Sequence, residues 1–264
     1  MHREEIAIRA AIEAGKAIMF VYDTPFGVEY KQDQSPLTKA DRLANEIIMS
    51  YLSKTDFPII SEENAQIPYA QRRDWQQLWM VDPLDGTKEF IKKNDEFTVN
   101  IAFIENGNPK EGVIYAPALR KLYYTLEGKA YRQSDVYAIE DWSVEKSDVL
   151  PQEETNDGEW VMLVSRSHMS AETADFVEGQ KSLYPDKKIT MLSAGSSLKI
   201  CKVVEGSANI YPRFAPTMEW DVAAGHAIAQ AAYCEIIDVK KGQTLEYNKE
   251  NLLNPWFILQ KIKS

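Results

Sequence analysis

Cysteine is scarce in this chain: Cys201 and Cys234 are the only two in 264 residues. They lie in apolar surroundings and form no Cys-x-x-Cys pair. The expectation is two buried free thiols of a reducing compartment, not a disulfide scaffold. Long apolar runs are missing as well. None approaches the roughly 20 residues needed to span a bilayer. The start, Met1-His2-Arg3-Glu4-Glu5, is charged and leads into an amphipathic pattern unlike a signal peptide. Positive charge is in deficit, with 30 Lys and Arg against 40 Asp and Glu, a net charge of −10. That argues against a general binder of nucleic acid or of anionic membranes, which needs basic surface. A small phosphorylated ligand stays possible, because metal ions can reverse the local field. There is no internal repeat and no low-complexity tract. A cytoplasmic enzyme is the expectation.

What is present is enough for a folded core, at 44% hydrophobic and 27% charged residues. The length suggests two lobes or one large α/β unit. Apolar spacing predicts helices over 6–22 and from about Thr38 to Leu52. Short buried strands follow at 58–61 and 78–81. A β-meander is expected over 97–105, 112–116 and 122–126, with a turn at Asn106-Gly107. From Asp135 to Glu159 the chain turns polar, and a boundary or long connection belongs there. Strands at 160–164, 188–192 and 208–211 then alternate with helices at 171–183, 196–205 and 220–232. Late strands are expected at 234–237 and 256–259. The first half reads as α+β and the second as α/β.

The most informative stretch is Trp79-Met80-Val81-Asp82-Pro83-Leu84-Asp85-Gly86-Thr87. A buried strand ends in two carboxylates three residues apart. Proline stiffens the turn and removes a donor, so the chain can leave the strand abruptly. Asp82, Asp85 and the Leu84 carbonyl can then converge on one point, a set of hard oxygens that suits Mg²⁺. The Gly86 and Thr87 amides would open a short helix, and a helix start attracts anions. Taken alone, an Asp-x-x-Asp pair is most often a capped surface turn. The apolar strand before it, with Glu62 upstream and Trp220-Asp221 downstream, favours a metal-dependent phosphatase.

Five segments in order then resemble one family. Asp82 to Thr87 is similar to the signature of the inositol monophosphatase superfamily of lithium-sensitive, magnesium-dependent phosphatases. Ser35 to Asp41, Ser61-Glu62-Glu63, Gly195 to Lys199 and Trp220 to Gly225 resemble its other motifs. The similarity is strongest to the bacterial 3'(2'),5'-bisphosphate nucleotidase branch. It is carried by Thr87 to Phe90, Ser165 to His168, Ser196 to Lys199, Tyr211 to Thr217 and the tail Leu253-Asn254-Pro255. Ala215 stands where that pattern has glycine.

The resemblance implies a layered α-β-α-β-α sugar-phosphatase-like fold with two subdomains. Residues 1–155 would form an α+β metal-binding domain and 156–264 an α/β domain with the nucleotide contacts. The active site would lie between them. Glu62, Asp82 and the Leu84 carbonyl would hold one Mg²⁺. Asp82, Asp85 and Asp221 would hold a second, with room for a third, weaker ion beside Glu62. Thr87 and Asp41 would orient and deprotonate the attacking water, with Glu62 beside them. From the residue pattern alone, Asp41 also reads as a helix cap. The Gly86 and Thr87 amides would bind the scissile phosphate.

His168, Ser196, Lys199 and Arg213 are the candidates for a second phosphate. Ser196 sits at a predicted helix start, which suits an anion, while the other three have plainer alternatives: a surface or structural histidine, a solvated lysine, a structural ion-pair partner. His226 reads as a packing residue and Trp220 as an anchor for Asp221. The leading expectation is a Mg²⁺-dependent phosphohydrolase that converts adenosine 3',5'-bisphosphate to AMP and phosphate. Its 5'-phosphosulfate analogue would be a second substrate, and the setting sulfate assimilation. An inositol monophosphate or sugar phosphatase is the alternative within the same chemistry. A catalytically silent nucleotide-binding protein is the alternative from another class. The implied partner is a small nucleoside bisphosphate, with no nucleic acid and no transmembrane segment. Peripheral contact at the cytoplasmic face of the inner membrane stays open.

Overall fold

The computed structural model describes residues 2–30, 36–64, 66–151, 158–164 and 170–262. Its helices are α1 (Arg3–Tyr22), α2 (Lys39–Leu52), α3 (Tyr69–Arg72), α4 (Thr87–Ile91), α5 (Ala171–Leu183), α6 (Leu198–Val204) and α7 (Glu219–Ala231). Strands β1 (Val28–Tyr30) and β2 (Pro36–Thr38) pair as an antiparallel hairpin. Seven strands then line up in chain order in one sheet: β3 (Ile59–Ser61), β4 (Gln77–Asp85), β5 (Thr98–Glu105), β6 (Asn108–Ala116), β7 (Lys121–Leu126), β8 (Lys129–Gln133) and β9 (Asp148–Leu150). Only β3 and β4 are parallel neighbours in it. The second sheet comprises β10 (Trp160–Val164), β11 (Ile189–Ser193), β12 (Ile210–Arg213), β13 (Cys234–Asp238) and β14 (Phe257–Lys261). Its spatial order is β11-β10-β12-β14-β13, parallel from β11 to β12 and antiparallel beyond.

Alternation along the strands decides the layers. Trp79, Val81, Val99, Ile101 and Phe103 turn to one face of the large sheet, where α1 and α2 cover them with Ile8, Ile12, Ile18 and Ile48. Leu78, Met80, Ala102, Ile104 and Ile114 turn to the other face, against α6, α7 and the inner face of the small sheet. Met162 and Ile210 point outward to Val177 and Phe176 of α5. The result is α-β-α-β-α, with α6 and α7 shared between the sheets. Burying one such apolar side chain stabilises by about 1.5–3 kcal/mol, which is why both faces of the large sheet stay covered. Close approach is built in at Gly112 of β6, where an added Cβ would fall 2.2 Å from the Ala224 carbonyl of α7.

The sequence reading is corrected in three places. The strand over 78–81 runs on to Asp85, so the chain does not leave the sheet at Pro83. The polar stretch after Asp135 contains two 3-10 turns and β9, which pairs with β8 at the sheet edge. The helix expected over 196–205 begins only at Leu198. The turn at Asn106-Gly107 has positive φ at both residues, 50° and 74°, as a tight hairpin requires. Cys201 and Cys234 are both buried and free. Among the described residues no helix is long and apolar enough to cross a membrane.

Candidate active site

Residues i and i+3 of a regular strand face opposite sides of the sheet. Asp82 and Asp85 do not. Asp82 lies opposite Asn100 and Asp85 opposite Thr98, so three steps on β4 match two on β5. The extra residue is a β-bulge, which restores the parity of the two aspartates. It turns Leu84 into the α1/α2 core and leaves both carboxylates toward α7. The Leu84 amide donates to Asp82 Oδ1 at 3.1 Å and fixes the turn. Gly86 follows with φ of 88°, and a Cβ there would meet the Glu96 carbonyl at 3.1 Å. Glycine thus lets α4 start at Thr87, beside the acids.

Around this turn four carboxylates gather. Asp82 is 1% exposed. Burial first, then the Glu62, Asp85 and Asp221 charges, push its carboxyl well above the usual range. Asp221, in the first turn of α7, accepts from the Met218 amide at 2.9 Å. Burial and then the Asp85 charge, with a smaller push from Glu62, raise it to about 8. Glu62 follows the end of β3 in a single 3-10 turn. Asp85 Oδ2 accepts from the Ser196 hydroxyl at 2.6 Å and the Ser197 hydroxyl at 2.9 Å. Ser197 is itself held by Asn100 Nδ2 at 2.8 Å, and Ser196 by Thr98.

Such a cluster repels itself and calls for cations. Among the described residues, no three acidic, His or Cys side chains stand close enough together to hold a metal ion by themselves. The oxygens are instead partly tied to amides and hydroxyls, and they stand within electrostatic reach of one another. That suits Mg²⁺, which keeps several waters and binds through one or two carboxylates plus substrate phosphate. The donor set fits the ion.

Asp41 serves two partners. One oxygen, Oδ2, accepts from the Thr38 amide and the Thr38 hydroxyl, both at 2.7 Å, closing a capping box at the start of α2. The other, Oδ1, lies 3.2 Å from the Thr87 hydroxyl, which is equally far from the Leu84 carbonyl. The cap reading of Asp41 is therefore realised, and its other oxygen stands beside Thr87. Its burial raises its carboxyl above the ordinary value, against the Thr38 hydrogen bonds that lower it.

Beside the acids opens a cleft of about 290 Å³, lined by Asp85, Gly86, Glu89, Ser196, Lys199, Tyr211, Arg213, Thr217 and Asp221 among others. Lys199 is not a solvated helix lysine. It is 9% exposed, and its ammonium donates to the carbonyls of Ser196 at 2.8 Å and Ala194 at 3.1 Å. Burial lowers it to about 8, against the attraction of Asp85. Arg213, at the end of β12, donates to the Pro216 carbonyl at 3.1 Å, while its Nε is buried without a partner. The Ser196 hydroxyl is engaged with Asp85, and the Gly195 amide donates to Glu96 at 2.8 Å. Neither of those two groups faces an open anion site in this arrangement. His168 lies outside the described residues. His226 is buried far from solvent between Tyr247 and Gln230, and burial lowers it to about 3.

Thr38, Thr98, Asn100, Glu96, Tyr211 and Thr217 were not singled out as site residues from sequence. Thr38 did carry a signal, since Thr-x-x-Asp is a capping pattern. Thr98 and Asn100 carried none, because polar residues on alternate strand positions ordinarily face water.

Comparison with known proteins agrees with this geometry. The chain is 45% identical over 258 residues to the 3'(2'),5'-bisphosphate nucleotidase CysQ of Salmonella typhimurium, covering 96% of this chain and 97% of that one. The crystal structure of CysQ from Bacteroides thetaiotaomicron matches with a TM-score of 0.88 at 48% identity, over 98% of this chain and 97% of that one. An IMPase/NADP phosphatase solved in complex with Mg²⁺ and phosphate shares the fold, with a TM-score of 0.70 at 17% identity, over 95% of this chain and 87% of that one. The inositol monophosphatase family model matches residues 2–262, and the chain belongs to that family.

Proposed function

We propose that this protein is a Mg²⁺-dependent phosphohydrolase that removes the 3'-phosphate of adenosine 3',5'-bisphosphate, giving AMP and phosphate. The observation that carries the chemistry is the Thr87 hydroxyl, on the same short segment as Asp82 and Asp85 and 3.2 Å from Asp41 Oδ1 of α2. The substrate rests on the nearly full-length likeness to nucleotidases of that specificity. The sulfated analogue, with a 5'-phosphosulfate, belongs to the same substrate class.

In this reading Glu62, Asp82, Asp85, Asp221 and the Leu84 carbonyl would hold the Mg²⁺, with Glu62 and the Leu84 carbonyl on one side of Asp82, and Asp85 and Asp221 on the other. Mg²⁺, when bound, supplies Lewis acidity and charge neutralisation toward the phosphate. Thr87 accepts a hydrogen bond from the attacking water and donates its own proton toward Asp41 Oδ1. Thr38 holds the other Asp41 oxygen, so the carboxylate keeps its orientation as it draws the proton. The upward shift of Asp41 makes it a stronger base near neutral pH. Gly86 and Thr87 present amides to the scissile phosphate. Lys199 and Arg213 supply positive charge for the 5'-phosphate in the cleft, and the family resemblance gives His168 the same role. Residues 1–155 contribute the water-handling pair and most acids, and 156–264 contribute Asp221 and the nucleotide contacts. A cytoplasmic location goes with this reading.

The test is phosphate release with Mg²⁺ from adenosine 3',5'-bisphosphate beside inositol 1-phosphate and fructose 1,6-bisphosphate. The nucleotide should be strongly preferred. Preference for inositol phosphate would move the protein to the monophosphatase reading, and no release from any of them would make it a silent binder. Asp82→Asn should lower kcat by roughly 10²–10³-fold, the scale of removing one preorganised electrostatic group. Normal turnover in that variant would remove Asp82 from the metal set.

A further inference from the structure

The tail motif Leu253-Asn254-Pro255 lines no part of the cleft, yet it is tied to it. Asn254 is 5% exposed. Its side-chain amide donates to the Met218 carbonyl at 2.8 Å, and its backbone amide donates to the Thr217 carbonyl at 2.8 Å. Leu253 and Met218 form a backbone bridge, and the Glu219 amide donates to the Leu252 carbonyl at 2.9 Å. Pro255 favours extended backbone at Asn254, the shape this pairing needs. Residue 218 is therefore gripped on its carbonyl side by the tail. On its other side, the Met218 amide donates to Asp221 Oδ2 at 2.9 Å. The path from Asn254 to the carboxylate is two hydrogen bonds through one residue.

The Asn254 oxygen is buried with no partner. Buried amides of purely structural use are normally satisfied at both ends. Here only the donor end is used, and it is spent on the turn that carries Thr217 and leads to Asp221.

We propose that Asn254 is a positioning residue that sets the Asp221 carboxylate, and with it Mg²⁺ affinity and the cleft wall at Thr217. The proposal rests on the metal-dependent reading above. Groups that orient a ligating carboxylate typically govern metal affinity by about 10–100-fold.

The experiment is calorimetric titration of metal-free protein with Mg²⁺, together with Mg²⁺-dependence of kcat and KM and the Tm in EDTA. The variants are Asn254→Ala and the isosteric Asn254→Asp, which presents an acceptor to the Met218 carbonyl. Leu253→Ala, with an exposed side chain, is the control. Expected is a loss of Mg²⁺ affinity of roughly 10–100-fold in both Asn254 variants, with the Tm in EDTA little changed. Half-maximal kcat should shift to higher Mg²⁺ by the same factor, and the control should match wild type. Unchanged Mg²⁺ affinity overturns the proposal, and so does unfolding of both variants in EDTA, which would make Asn254 a structural residue. Wild type that binds Mg²⁺ but releases no phosphate from the nucleotide would sink the functional reading, while calorimetry would still decide Asn254.

Discussion

Asp221→Asn should stabilise the metal-free protein while it weakens metal binding. The fold holds the Asp221 carboxyl at about 8, through burial and then the Asp85 and Glu62 charges. The unfolded chain holds it near the ordinary value of about 4. Below about pH 4 both states carry the proton, and the site costs nothing. As pH rises, the unfolded chain ionises first, so stability falls from about pH 4 until the folded group also ionises near 8. At pH 7 about three tenfold steps in proton affinity separate the states, each worth about 1.4 kcal/mol. A wholly dry site would thus lose about 4 kcal/mol; Asp221 opens on the cleft, and solvent screening reduces this to about 2 kcal/mol. Asparagine keeps an oxygen for the Met218 amide and carries no charge. In a protein of this size the gain corresponds to roughly 5 °C in Tm. The assay is scanning calorimetry in EDTA at about pH 4 and about pH 7, with and without excess Mg²⁺. The variant should gain at neutral pH, gain nothing in acid, and respond less to Mg²⁺ than wild type. An equal gain at both pH values, or a loss at neutral pH, would refute the reasoning.

Three further changes probe other parts of the protein. Thr87→Ala should lower kcat by roughly 10²–10⁴-fold, the range for a proton-transfer group, and Thr87→Ser should retain most activity in steady-state assays. Arg213→Ala removes a charged donor worth about 1.5–3 kcal/mol; KM should rise more for the bisphosphate than for a monophosphate, and equal losses would take Arg213 away from the second phosphate. Gly112→Ala drives a methyl group into the Ala224 carbonyl. It should destabilise by about 3 kcal/mol, seen as a lower urea midpoint, because neither β6 nor α7 can give way cheaply.

Much of the architecture was legible because both faces of the large sheet are covered. Its strands read as apolar runs, and α1 and α2 show helical spacing. The clustered acids were legible for a different reason: carboxylates that close an apolar strand break a pattern. What could not be read was anything that depends on three-dimensional accounting. Thr98 and Asn100 are wholly buried, yet only the serines brought in from beyond Gly195 explain why. Lys199 looks like any helical lysine until the carbonyls of residues 194 and 196 surround it. Strand β9 is three residues at an edge, too short to rise above its polar surroundings. Asp41 sits in a motif that reads as a cap in one dimension, while in the structure one oxygen goes to Thr38 and the other to Thr87.

The bulge at Pro83-Leu84 works as a phase change in the alternation of β4. Upstream of it even-numbered residues face α7; downstream the odd-numbered Asp85 does. Chemistry at this site thus depends on counting as much as on composition. Flattening the bulge without changing the length would send Asp85 toward the α1/α2 core, whereas deleting one residue between the aspartates would keep both on one face by plain alternation and remove the turn that carries Leu84. What the arrangement requires is the parity that the bulge supplies, so a replacement that keeps the length but flattens the bulge is the harsher change.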